Sequence, residues 1–395
     1  MHLFSAPIAI ILLVSAETVH GGSRSWESKA PNQRANPTPY YEDLLTLNST
    51  STLVKRAMSI KSSPGDNSVA RIWPNKEIRW CFEEPPSPSF RGQWETALKS
   101  WPGLLRHDFT YKEVDDDVCK SESERSSVLH VRYNNRGVLK STNGIPAIDA
   151  AADKSDPDTI LGPYTMLSDK EGVGQGDVVA NMAHEIGHIW GLHHEHQIPY
   201  YWEKSLEHTF DQWNFPEENP GRVKRFQTNG FICSNLKDYD DIYGGLEAKV
   251  NAATGNVKKD LQADLDRLCK SRVVASTYKF SAVEWLPLEH TANLVIDSDF
   301  DPKSIMLYPS NAGGKGGFGD DREDVMKYSD DTVIPPRWWP SPMDYERLIK
   351  LYGSPALSTL EVPHTSKSSP NFNLFKKSSY SNFRKRAGDT KDGVC

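Results

Sequence analysis

The chain has 395 residues, a formal net charge of −7 and a hydrophobic fraction of 37%. That length accommodates one large domain or two modest ones, and the ordinary apolar and charged fractions place it among globular proteins. A mildly acidic balance with no basic stripe or recognition motif argues against a nucleic-acid partner.

In chain order, the first feature is an apolar run from Ile8 to Val14, followed by the small residues Ser15 and Ala16. This reads as a secretory signal over residues 1–16, although only His2 stands where positive charges are usual. The run is too short to cross a bilayer, and no later stretch reaches ~18 consecutive apolar residues. The expectation is a secreted, extracellular protein with no membrane span. Residues 17–69 are rich in Ser, Asn, Pro and Thr and read as a pro-segment or polar linker. They carry a glycosylation acceptor at Asn48, in Asn48-Ser49-Thr50, and a dibasic pair, Lys55-Arg56, that suggests zymogen processing.

The folded catalytic body is expected over residues 70–353, opening near Arg71-Ile72-Trp73-Pro74. Ile78 to Phe82 alternates as a strand. Arg91 to Leu105 has helical spacing, with Trp94, Leu98 and Trp101 along one side. Val128 to Tyr133 and Thr159 to Leu167 read as strands, and Asp177 to Trp190 as a helix. Asn256 to Lys270 predicts a surface helix with Val257, Leu261, Leu265 and Leu268 as its apolar stripe. Ser341 and Asp344 form a capping box with Pro342 at the first helical position, and that helix should end at Gly353 before Pro355. Residues 354–395 form a basic, Ser-rich tail containing Arg384-Lys385-Arg386, a second processing candidate. Strands and helices mixed without strict βαβ alternation indicate an α+β fold.

Cys81, Cys119, Cys233 and Cys269 lie in the body, and Cys395 is the last residue. Export makes disulfides expected, and four cysteines allow three pairings. The sequence-local pairing is Cys81 with Cys119 and Cys233 with Cys269. No CxxC spacing occurs, which disfavours a cysteine zinc site.

The segment that carries chemistry is His184-Glu185-Ile186-Gly187-His188-Ile189-Trp190-Gly191-Leu192-His193-His194-Glu195. At ~100° per residue, Asp177, Asn181, His184 and His188 share one stripe of a helix, and apolar side chains fill the opposite arc. Two imidazoles one turn apart can point at a common tetrahedral metal. A third, six residues past His188, needs the chain to turn back, and Gly191 permits that turn. The offset selects His194 over its neighbours His193 and His196. Three protein ligands leave a fourth position for water, the arrangement of a single catalytic Zn2+. Glu185, beside the first ligand, would then act as general base on the zinc-activated water and pass the proton to the leaving amine.

These residues resemble the metzincin zinc peptidases, whose signature is HExxHxxGxxH followed by a Met-turn. Glu195 after the third histidine, and Ser304-Ile305-Met306-Leu307-Tyr308 downstream, resemble the astacin family in particular; so does the Arg71-Ile72-Trp73-Pro74 opening. The resemblance implies a metzincin-like fold, with a twisted sheet and helices above a cleft and an irregular lower subdomain. It implies Met306 beneath the metal, and Tyr308 as a tyrosine that binds zinc at rest and hydrogen-bonds the oxyanion during hydrolysis. It also implies a monomeric endopeptidase acting on internal bonds of proteins or peptides, and a Glu195 that meets the mature N-terminus. The run His196-Gln197-Ile198-Pro199 is similar to the microbial and fungal branch. Leu307 stands where many relatives have histidine, and the long gap from His194 to Met306 implies an insertion, with Cys233 and Cys269 as its staple. Gly65-Asp66 lacks the phenylalanine of the family's latency motif and follows Lys55-Arg56, so Asp66 is not assigned as the latency residue.

Other features read as structural. Asp320, Asp321, Glu323 and Asp324 suit a solvated acidic turn better than a calcium loop. Trp338-Trp339 is expected to pack in the core, and Thr159 to Leu167 to form the edge strand beside which a peptide would add. The rival readings are a secreted binder that keeps the zinc shell without turnover, and a zinc hydrolase of a non-protein substrate.

Overall fold

The computed structural model describes residues 20–21, 58–60, 70–147, 160–170, 173–202, 225–288, 294–296, 300–316 and 321–353. The expected signal (1–16), Asn48, Lys55-Arg56, Asp66, Asp320 and the tail with its basic triplet and Cys395 lie outside the described residues.

The architecture is α+β. One sheet has the strand order β1–β6–β7–β5–β3–β4, and β2 and β8 form a separate pair. In chain order the strands are β1 (His20–Gly21), β2 (Met58–Ile60), β3 (Glu77–Phe82), β4 (Thr110–Glu113), β5 (Leu129–Tyr133), β6 (Lys140–Thr142), β7 (Tyr164–Leu167) and β8 (Leu294–Ile296). β3 runs parallel to β4 and β5, and β5 parallel to β7. β6 runs antiparallel to β7, and β1 to β6. Alternation explains β3: Ile78 and Trp80 are buried in the main core, while Cys81 joins a small cluster with Cys119 and Val128. A bond between Cys81 and Cys119 closes that smaller cluster.

Helix α1 (Pro88–Lys99) starts where the Ser87 hydroxyl accepts from Phe90 N and Pro88 fills the first turn. The single helix expected from Arg91 to Leu105 is in fact two: the first stops at Lys99, and α2 (Pro102–Leu105) begins anew. Pro102 has no N–H to continue the ladder and disfavours helical geometry at Trp101, which takes φ −110° and ψ 51°. Trp101 is fully buried and its indole donates to Ala183 O at 3.1 Å, fixing α1 and α2 against α4 (Val178–Trp190). Between them lies the one-turn α3 (Asp116–Cys119).

The predicted strand from Thr159 is also shorter, since β7 begins only after Pro163, and it is not an edge. It lies between β5 and β6. Beyond α4, α5 (Tyr239–Ala252), α6 (Gly255–Arg267) and α7 (Arg272–Thr277) form a helical segment inserted between His194 and Met306, bridged by Cys233–Cys269. On α6 the predicted stripe is only partly used: Leu265 and Leu268 are buried, but Val257 is 61% exposed. α8 (Pro342–Leu351) has both reciprocal bonds of the Ser341/Asp344 capping box, and Gly353 follows in the left-handed region at φ 54°. Trp338 and Trp339 are 42% and 39% exposed, not core residues as expected. Asp324 pairs with Lys327 at 3.2 Å.

Candidate metal centre

Asp177 caps α4 by accepting from Ala180 N at 2.9 Å, and one turn later Asn181 binds the preceding loop through Gln175 N and Val173 O. This sets the face on which His184 and His188 follow. Gly191, at φ 110°, ends the helix in the left-handed region, and Leu192 N returns to Gly187 O at 2.9 Å. The reversal brings His194 under the first two histidines. β2 lies on the same turn: Ile60 N donates to Gly191 O at 3.0 Å, and a Cβ at position 191 would stand 2.9 Å from the Ile60 side chain.

The three Nε2 atoms lie 3.1 Å (His184–His188), 3.2 Å (His184–His194) and 2.9 Å (His188–His194) apart. Each Nδ1 faces an oxygen acceptor: Ile305 O at 2.7 Å for His184, Leu192 O at 2.8 Å for His188, and Gln197 Oε1 at 3.1 Å for His194. A carbonyl oxygen only accepts, so each Nδ1 carries the proton and each Nε2 presents a lone pair. Burial supports the neutral form, holding His184 down to about 4 and His188 and His194 well below the usual histidine value. Three lone pairs so close repel one another unless an electron-pair acceptor sits among them. Tetrahedral zinc with Zn–N near 2.0–2.1 Å would space its nitrogens by roughly 3.3–3.4 Å. The donor set therefore fits zinc in type, tautomer and approximate spacing. A second cluster, Cys81, Cys119 and His130, does not fit, because its sulfurs are bonded to each other.

Met306 is fully buried beneath α4, and a Cβ at Gly187 would stand 2.4 Å from its sulfur. This close approach explains a glycine inside the histidine motif. The Tyr308 ring centroid lies 4.3 Å from that of His194, 5.7 Å from His184 and 5.3 Å from Trp285. A small cavity reaches His184, Glu185 and Tyr308 together. The centre is enclosed: Glu185 is 1% exposed and Tyr308 5%.

Glu185 Oε2 has no hydrogen-bond partner among the described residues. Burial pushes this carboxyl up to about 8; the field of Glu284 adds to the rise and a bond from Ser141 opposes it. A nearby divalent cation would favour the ionised form.

The partners of several residues around the centre have no signal in the sequence. Gln197 orients His194 and is itself held through Nε2 by Glu284 O at 2.9 Å, so the insertion braces the third histidine. His196 donates to the same carbonyl at 2.8 Å, and His193 lies 2.7 Å from Asn143 Nδ2. Burial pushes both down to about 3. Glu195 forms a bidentate pair with Arg347, at 2.5 and 2.9 Å. The cause is proximity in the fold: α8 presents a guanidinium where the buried carboxylate needs a counter-charge.

No protein-family model matches the chain, and no curated protein is similar to it in sequence. Among solved structures it resembles High choriolytic enzyme 1, a hatching enzyme zinc-protease from Oryzias latipes (medaka fish). The match has 11% identity and a TM-score of 0.37, over 74% of this chain and 98% of that one. It also resembles two structures of myroilysin. The first has 15% identity and a TM-score of 0.33, over 72% of this chain and 98% of that one. The second has 14% identity and a TM-score of 0.32, over 75% and 100%.

Proposed function

We propose that the chain is a secreted zinc-dependent metalloendopeptidase of the astacin-like kind. His184, His188 and His194 would hold the metal, Glu185 would be the general base and Tyr308 the oxyanion donor. The observation that supports this best is the convergence of three Nε2 lone pairs beside a buried carboxylate with an open acceptor site. Zinc, when bound, would act as a Lewis acid that lowers the pKa of water and polarises the scissile carbonyl. Glu185 takes a proton from the attacking water and delivers it to the leaving nitrogen. Tyr308, packed on the imidazoles, donates from its hydroxyl to the oxygen where negative charge develops. Met306 and Gly187 hold α4 at the depth this geometry needs.

A peptide substrate adds to β6, which lies outside β7 and carries Ser141 next to Glu185. His20–Gly21 pairs with that strand at Ser141 and Thr142. Cutting after Lys55-Arg56 would remove β1 and free the edge, while leaving β2 on the histidine turn. That order supports zymogen processing, with catalytic residues 70–353 retained.

Casein digestion by the processed protein, with and without a chelator, tests the reading. Cleavage that stops with chelator and returns with zinc is expected. Glu185→Ala should keep one bound zinc and lose at least ~10²-fold in rate. A wild-type protein that binds zinc but cleaves neither casein nor peptides would indicate a binder.

A further inference from the structure

We infer that Arg347 is a positioning residue for the metal centre: through Glu195 its guanidinium holds the third imidazole in register with the other two. This rests on reading His184, His188 and His194 as metal ligands.

Glu195 follows His194 directly. Its amide donates to Met306 O at 3.1 Å, and its Oε1 accepts from Asp301 N at 2.7 Å. Arg347 Nη1 reaches Oε2 at 2.5 Å and Nη2 reaches Oε1 at 2.9 Å. The peptide after the third ligand is thus tied to the Met-turn by its backbone and to α8 by its side chain. One turn earlier on α8 stands Asp344, 3.6 Å from Arg347 Nη1. It accepts from Ser304 Oγ at 2.7 Å and Ile305 N at 3.0 Å. The carbonyl of that same Ile305 takes the Nδ1 proton of His184. A single turn of α8 therefore reaches the first ligand through the backbone on either side of the Ile305 Cα and the third through Glu195.

The whole chain of contacts is buried: Glu195 is 1% exposed, Asp344 0%, Arg347 4% and Asp301 3%. A carboxylate in such a place cannot fall back on water, so its orientation follows its partner. A guanidinium fork fixes a carboxylate in two directions, whereas an ammonium attracts it without setting its plane. Arg347 does not reach substrate in this arrangement; its effect passes through the backbone of His194.

The test uses the full chain as wild type, Arg347→Lys, and the charge-neutral double variant Glu195→Gln/Arg347→Met. Replacing both charges of a buried pair commonly leaves stability intact. Melting temperature and circular dichroism report folding. Zinc affinity is measured by competition with a chromophoric chelator, and cobalt substitution reports ligand geometry by visible absorption. We expect both variants to fold, to bind zinc roughly 10- to 100-fold more weakly, and to show shifted cobalt bands. On a peptide substrate kcat should fall with KM little changed. Wild-type zinc affinity and an unshifted cobalt spectrum in either folded variant would overturn the inference, even if stability drops. A wild-type chain that binds no zinc would instead overturn the metal-centre reading itself.

Discussion

At the scale of single residues, the centre is built by tautomers and by two glycines. Carbonyls of Ile305 and Leu192 and the Gln197 side chain each claim a ring proton, which leaves three lone pairs converging. Gly187 admits the Met306 sulfur, and Gly191 supplies the left-handed turn that carries the chain back to His194. Tyr308 sits on the rings of His184, His194 and His196. If its hydroxyl stabilises the oxyanion, Tyr308→Phe should lower kcat by roughly 10²-fold. Zinc content and KM should change little, because the ring packing is kept. A Tyr308→Phe enzyme with wild-type kcat would remove the phenol from the mechanism.

At the scale of elements, the insertion is more than decoration. Its turn from Ser281 to Glu284 offers the Glu284 carbonyl to both His196 and Gln197, and Gln197 holds the third histidine. Cys233–Cys269 ties the start of this insertion to the end of α6. Cys233→Ser/Cys269→Ser should cost about 2–4 kcal/mol and also weaken zinc binding. Limited proteolysis should then cut first within the insertion. Cys81→Ser/Cys119→Ser, which loosens the far face of the sheet, should cost comparable stability but leave zinc affinity unchanged. Calorimetry paired with chelator competition separates the two, and equal effects on zinc would contradict the brace.

At the scale of the whole molecule, burying so many histidines makes acid the weak side. Burial lowers His184, His188, His193, His194 and His196 alike. Each is neutral in the fold but takes a proton in the unfolded chain below pH ~6.5. The unfolded state then binds more protons through these groups, so the histidines' contribution to stability is complete above that value and falls as pH drops towards the folded values of about 4 for His184 and about 3 for His193 and His196. Glu83 acts lower down: the neighbouring His130, 3.5 Å away, and Arg132 hold it at about 2, and its contribution is lost between its ordinary 4.5 and that value. Chelator-treated protein should gain a little in melting temperature from pH 8 to 7, where buried Glu185, pushed up to about 8, takes a proton in the fold, and should fall steeply from pH 6 to 4 as the unfolded histidines are protonated. Zinc should be released over the same span, since ligation needs neutral imidazoles. A melting temperature constant from pH 8 to 4 would contradict this account of the buried histidines.

The sequence by itself determined what lies within a few residues. The spacing of His184, His188, Gly191 and His194, the Ser341–Asp344 cap, and the alternation of Ile78 and Trp80 all follow from helical pitch, backbone chirality and strand pleat. Only the tertiary structure decided that β7 is internal and β6 outside it, that the Trp101 indole reaches Ala183, that both tryptophans at 338 and 339 face outward, and that Glu195 answers Arg347. Those outcomes depend on which distant segments exclude water from one another. A buried carboxylate takes whatever counter-charge the packed chain places beside it, and no local pattern records that choice.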